Sequence, residues 1–127
     1  MSNKIISTPN APAAIGPYSQ AVLAGNTLYC SGQLALDPAT GELVMDSITA
    51  ETEQVMANVA AVLEAADMDF THVVKCSIFM SSMEHYAAIN TVYAKYFSSG
   101  PPAREAVAVK TLPKEVNVEI SVVAVKL

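Results

Sequence analysis

Arginine is almost missing from this chain. Seven of its 127 residues are basic, and all but Arg104 are lysines. The lysines are scattered, and twelve acidic residues leave a net charge of −5. A nucleic-acid backbone demands clustered positive charge, so nucleic acid is not expected as a main partner. Charge of either sign is scarce at 15% of residues, against roughly 25% in ordinary soluble chains. No apolar run approaches the roughly 20 residues needed to cross a bilayer, and the stretch Met1–Ser7 is too short in apolar residues for a signal peptide. These absences point to the cytoplasm. Only two cysteines occur, Cys30 and Cys76, without the close spacing of a metal or redox motif. Both lie in apolar runs and read as packing residues. His72 and His85 pair with neither cysteine at ligand spacing and read as structural or solvated, so no metal site is expected. There is no P-loop, no Gly-x-Gly-x-x-Gly, no HExxH and no Gly-x-Ser-x-Gly. Nucleotide, zinc and serine-hydrolase chemistries therefore lack support.

Hydrophobic residues, by contrast, make up 52% of the chain. One domain, 1–127, can bury a real core. A small monomer would struggle to cover so much apolar surface, which implies a homo-oligomer. Residues 4–7 suit a short first strand, and 8–18 an ordered Pro/Ala/Gly loop. Ser19–Ala24 and Thr27–Ser31 flank a Gly25-Asn26 hairpin turn, and Asp37–Gly41 is a second turn. Thr49–Ala66 reads as a helix capped by Thr49, with Glu51 and Glu53 at its positive end. Its apolar face is Val55, Val59, Val62, Leu63 and Ala66, and Asp67 stops it. Val73–Ser81 reads as a strand buried on both faces. Ser81 caps a second helix running to Phe97, with Tyr86, Ile89, Tyr93 and Phe97 on its apolar side. Strands Arg104–Leu112 and Val116–Lys126, joined through Pro113-Lys114, complete the chain. The expected class is α+β, with both helices on one face of a mixed sheet and the other face left for the oligomer contact.

Arg104 follows Pro101-Pro102 at the mouth of an apolar strand. A guanidinium stays charged and grips a carboxylate with two parallel hydrogen bonds, so this position reads as an anion clamp. The plainer alternative is an edge salt bridge to Glu105 or Glu115. Glu119 interrupts the strand Val116–Val122; it is either part of a solvated outer face or a carboxylate that handles a proton near Arg104. A tight hairpin pairing Leu112 with Val116 would point Arg104 and Glu119 to opposite faces. Sharing a site then requires a bulge, another register, or strands that are not neighbours. Tyr18, just after Gly16-Pro17, is either a directed phenol or half-buried packing. In Ser31-Gly32-Gln33 the glycine permits close approach or marks a simple bulge. Asn90 is either a buried hydrogen-bonding residue or an exposed one.

Three stretches together resemble the RidA (YjgF) family. They are Ala11–Ala21, then Ser31-Gly32-Gln33, then Pro102-Ala103-Arg104 with Leu112-Pro113-Lys114 and Val118-Glu119-Ile120. The likeness covers essentially the whole chain, in order. It implies a chorismate-mutase-like α+β fold and a homotrimer with ligand clefts between subunits. It also implies a cofactor-independent deaminase that hydrolyses 2-aminoacrylate-type enamines and imines to 2-oxo acids and ammonia. By that resemblance Arg104 holds the substrate carboxylate. Glu119 places water and shuttles protons with backbone help near Ala106, and Tyr18 closes the cleft from the neighbouring chain. Ser31, Gly32 and Asn90 line it. Ala106 stands where many members carry cysteine, so any chemistry needing that thiol is lost. The competing readings are a non-catalytic binder of small 2-oxo acids and, against the acidic balance, an RNA-cleaving or translation-inhibiting protein.

Overall fold

The computed structural model describes residues 3–127. Met1 and Ser2, which open the stretch read above as no signal peptide, lie outside the described residues. Strands β1 (Lys4–Ile6), β2 (Ala21–Ala24) and β3 (Thr27–Cys30) form an antiparallel meander. The Gly25-Asn26 turn closes β2 on β3 as expected. Gly25 takes φ of 61° there, which costs little only without a Cβ.

Helix α1 (Ile48–Ala65) begins earlier than its sequence pattern suggests. Ser47, not Thr49, is the cap: its backbone is extended and its hydroxyl accepts from Ala50 N at 3.0 Å, the geometry a cap requires. Val55, Val59, Val62 and Leu63 are fully buried along one face. Asp67, at φ 58°, ends the helix as expected.

The remaining elements are β4 (Val73–Met80), α2 (Tyr86–Ala94), β5 (Ala103–Ala108) and β6 (Val118–Val125). Ser82 rather than Ser81 caps the short turn before α2, accepting from Glu84 N. The Ser81 hydroxyl is engaged elsewhere, donating to Asn117 Oδ1 at 2.8 Å. Helix α2 stops at Ala94, short of Phe97, and the last two strands are shorter at both ends than the sequence reading made them, except that β5 starts one residue earlier.

The six strands lie in the order β1-β2-β3-β6-β4-β5. β4 and β5 run parallel, joined by α2, because a parallel pair needs a crossover and a helix supplies it. β6 then enters on the other side of β4, antiparallel to both β4 and β3. The expected β5–β6 hairpin therefore does not form. A 3-10 turn, Pro113–Glu115, lies within the connection that passes β4, with Lys114 and Glu115 both left-handed at φ 57° and 55°.

Burial alternates along β6: Val118, Ile120, Val122 and Ala124 are buried, and their odd-numbered neighbours are not. The buried side meets α1, so the core lies between the sheet and its helices. β4 alternates likewise, which corrects the expectation of burial on both faces within one chain. The opposite sheet face carries Ile5 (66% exposed), Tyr29 (54%) and Val107 (43%). Nothing among the described residues covers that apolar face in the single chain.

Candidate functional site

The register settles the parity question. Arg104 aligns with Cys76 on β4, and Glu119 aligns with Phe79. Cys76 is fully buried on the helix side, and Phe79 is one residue out of phase with it. Arg104 and Glu119 thus point to opposite faces of one sheet. They are not paired-strand neighbours, yet they still do not meet within one chain.

On one side lies a cleft of about 520 Å³ lined by Tyr18, Ser31, Gly32, Glu119, Lys114 and apolar residues including Ile15 and Leu36. The loop 8–18 that forms one wall is fastened by a single buried side chain. Gln20 Nε2 donates to the carbonyls of Thr8, Ala11 and Pro12, and Gln20 Oε1 accepts from Thr8 N at 2.7 Å. Tyr18 stands 52% exposed at the cleft in the single chain. Ser31 is tied to the same loop, its hydroxyl donating to Ser19 O at 2.6 Å.

Glu119 is brought to Gly32 by a two-way bridge. Gln33 N donates to Ile120 O at 2.8 Å, and Ile120 N donates to Gln33 O at 3.2 Å. A Cβ at Gly32 would lie 2.0 Å from Glu119 Oε2 and 2.7 Å from its carboxyl carbon. Only glycine leaves that carboxylate its place, which decides between close approach and simple bulge. Burial pushes the Glu119 carboxyl above the usual carboxylate range. It is half-buried, not part of a fully solvated face.

A buried carboxylate that the sequence reading placed only at the helix dipole sets the start of β6. Glu51 is fully buried. It accepts from Asn117 N at 2.8 Å, Asn117 Nδ2 at 3.1 Å and Val118 N at 3.1 Å. This ties α1 to the strand two residues before Glu119. A polar residue at helix spacing from Val55 was the one available signal of an inward-facing side chain.

On the helix side, a second pocket of about 460 Å³ is lined by Asn90, Tyr93, Ala94, Phe97, Pro101, Pro102 and Arg104. Arg104 Nη1 donates to Asn90 Oδ1 and Nη2 to the Tyr86 hydroxyl, each at 2.8 Å. Asn90 is half-buried and spent on this contact. The expected alternative of a salt bridge to Glu105 or Glu115 is not realised: Glu105 pairs with Lys75 at 2.9 Å and accepts from Ser77. Among the described residues no carboxylate forms an ion pair with Arg104. Ala106, on the same side of β5, packs against the core beside Ile78.

The remaining candidates behave as packing or local structure. Cys30 and Cys76 are free and buried, and burial pushes the Cys30 thiol up to about 12, far from a reactive thiolate. His72 Nδ1 accepts from Asp69 N at 3.0 Å, completing a capping box. Among the described residues no helix is long and apolar enough to cross a membrane.

The mixed sheet with both helices on one side, flanked by a largely apolar cleft that holds Glu119 and by a guanidinium pocket, defines an α+β protein of the class expected. A family model described as Endoribonuclease L-PSP matches residues 8–126, and the chain belongs to this family, the RidA/YjgF family. A goat protein named 2-iminobutanoate/2-iminopropanoate deaminase is 50% identical over 97% of this chain and 90% of its own length. The Escherichia coli YjgF gene product superposes with a TM-score of 0.93 at 41% identity, covering 98% of this chain and 99% of that one. RidA from a Psychrobacter species gives 0.93 at 43% identity, covering 97% and 99%.

Proposed function

We propose that this protein is a cytoplasmic imine/enamine deaminase that needs no cofactor and hydrolyses 2-imino acids such as 2-iminobutanoate and 2-iminopropanoate. The observation that carries the reading is an arginine with no ion-pair partner among the described residues on one side of the sheet and a half-buried glutamate in a cleft on the other. One chain supplies two half-sites. The Arg104 pocket of one subunit meets the Glu119 cleft of the next, with the exposed sheet face as contact, in a homotrimer.

In the assembled site Arg104 holds the substrate carboxylate through two parallel N–H···O bonds and fixes the adjacent C=N carbon. Water adds to that carbon, forming a C–O bond while the C=N π electrons move to nitrogen. Glu119 holds the water and relays its proton to the nitrogen. Glu119 then passes the hydroxyl proton of the addition product to its amino nitrogen; the C–N bond breaks with its electron pair on nitrogen, ammonia leaves, and the oxygen lone pair closes the carbonyl of the 2-oxo acid. Tyr18, Ser31, Gly32, Asn90 and the backbone near Ala106 line the space. Because position 106 contributes only its backbone to this scheme, alanine there leaves hydrolysis intact.

Ammonia release from freshly generated 2-iminobutanoate tests this. Arg104→Ala is expected to abolish release, Arg104→Lys to lose most of it because the planar fork is gone, and Lys4→Ala to retain it. Binding of 2-oxobutanoate with no ammonia release by the wild type would favour a non-catalytic binder. RNA cleavage that vanishes with Arg104→Ala would instead support a nuclease.

A further inference from the structure

A half-buried arginine ordinarily finds a carboxylate, and one is next in sequence. Glu105, however, points to the other face of β5, where Lys75 and Ser77 hold it. Arg104 is instead oriented by two neutral acceptors, Tyr86 OH and Asn90 Oδ1. These fix the plane of the guanidinium and leave its charge unpaired. They use two of its five N–H donors, so three remain for a ligand.

The cradle is a helix stripe. Tyr86, Asn90 and Tyr93 fall at i, i+4 and i+7 on α2 and therefore share a face. Its members contribute differently. The Tyr93 ring lies 4.9 Å from the guanidinium carbon, while its buried hydroxyl turns away from Arg104's donors and has only the Cys76 thiol as a weak neighbour. The Tyr86 ring is farther off at 5.6 Å, near the outer limit for a cation–π contact, but its hydroxyl makes a full hydrogen bond. Resting on the reading of Arg104 as the carboxylate clamp, we propose that Tyr86 is a positioning residue whose hydroxyl aims that clamp without neutralising it. This role belongs to the oxygen and not to the ring, so it is separable from packing.

Tyr86→Phe keeps the ring and removes the acceptor. Calorimetric titration with 2-oxobutanoate, steady-state 2-iminobutanoate hydrolysis and thermal melting are compared for wild type, Tyr86→Phe, Asn90→Asp and Arg104→Ala. Tyr86→Phe is expected to weaken 2-oxobutanoate binding and raise KM by roughly 3- to 10-fold, with kcat held within about twofold and an unchanged melting temperature. Asn90→Asp, which gives Arg104 an internal counter-ion, is expected to weaken binding further. If Arg104→Ala abolishes binding while Tyr86→Phe binds as wild type, the clamp stands and the positioning role falls. If Arg104→Ala binds as wild type, both fall. A loss in kcat at unchanged KM would place Tyr86 in the chemistry and overturn the proposal.

Discussion

At Glu119 the burial that the proposed proton handling would draw on also weighs on stability. Its carboxyl sits above the usual range because burial disfavours the charged form. The folded state therefore binds a proton more tightly than the unfolded chain. Between the unfolded value of about 4.3 and the raised folded value, stability falls as pH rises. Glu119→Gln is accordingly expected to melt higher than wild type at neutral pH while losing deaminase activity, and the gain should vanish in melts taken below the ordinary carboxylate range. Gly32 is the complementary test. The atom that a Cβ would strike is the end of the Glu119 side chain, which can swing away. Gly32→Ala should fold normally and yet lose roughly 10²-fold in kcat/KM, a loss measurable by ammonia release alongside an unaltered circular dichroism spectrum.

Single buried polar side chains act as fasteners between elements. Gln20 makes four hydrogen bonds to the backbone of loop 8–12. Gln20→Leu would strand those groups, at a cost of about 2–4 kcal/mol. Chemical denaturation should show that loss, and limited proteolysis should cut first within 8–18. Such fasteners explain what could be read in the sequence. Hydrophobic period located both helices, the Gly25-Asn26 hairpin and the strands, because those signals are local. Gly25 and Asp67 were legible because each answers a backbone demand at its own position. The misplaced caps at Thr49 and Ser81 show the limit. Serines lie at 47, 81 and 82, and long-range partners decide which hydroxyl is free: Ser81 goes to Asn117, leaving Ser82 for the helix turn. Glu51 was read by its place in the first turn, although its partners lie 66 and 67 residues away.

In the whole molecule, strand order decides what a site can be. Nothing in Pro113-Lys114 reveals that β6 passes β4 to lie beside it on the far side, so a hairpin was the natural reading. The observed order nevertheless leaves Arg104 and Glu119 on opposite faces, and the burial of β4 on one side only leaves an apolar sheet face open. High hydrophobic content with little charge had already pointed to that open face. On the proposed reading, the two separated half-sites are completed by further copies of the chain, and the activity is a property of that assembly.

Subunit mixing tests that claim most directly. Arg104→Ala and Glu119→Gln proteins, each inactive alone, are unfolded together in equal amounts, refolded and assayed for ammonia release. If each site takes its arginine from one subunit and its glutamate from the next, random assembly restores intact sites at about a quarter of the wild-type number. Activity near that level is the predicted result. A mixture as inactive as its components, with both variants assembled together, would contradict the account.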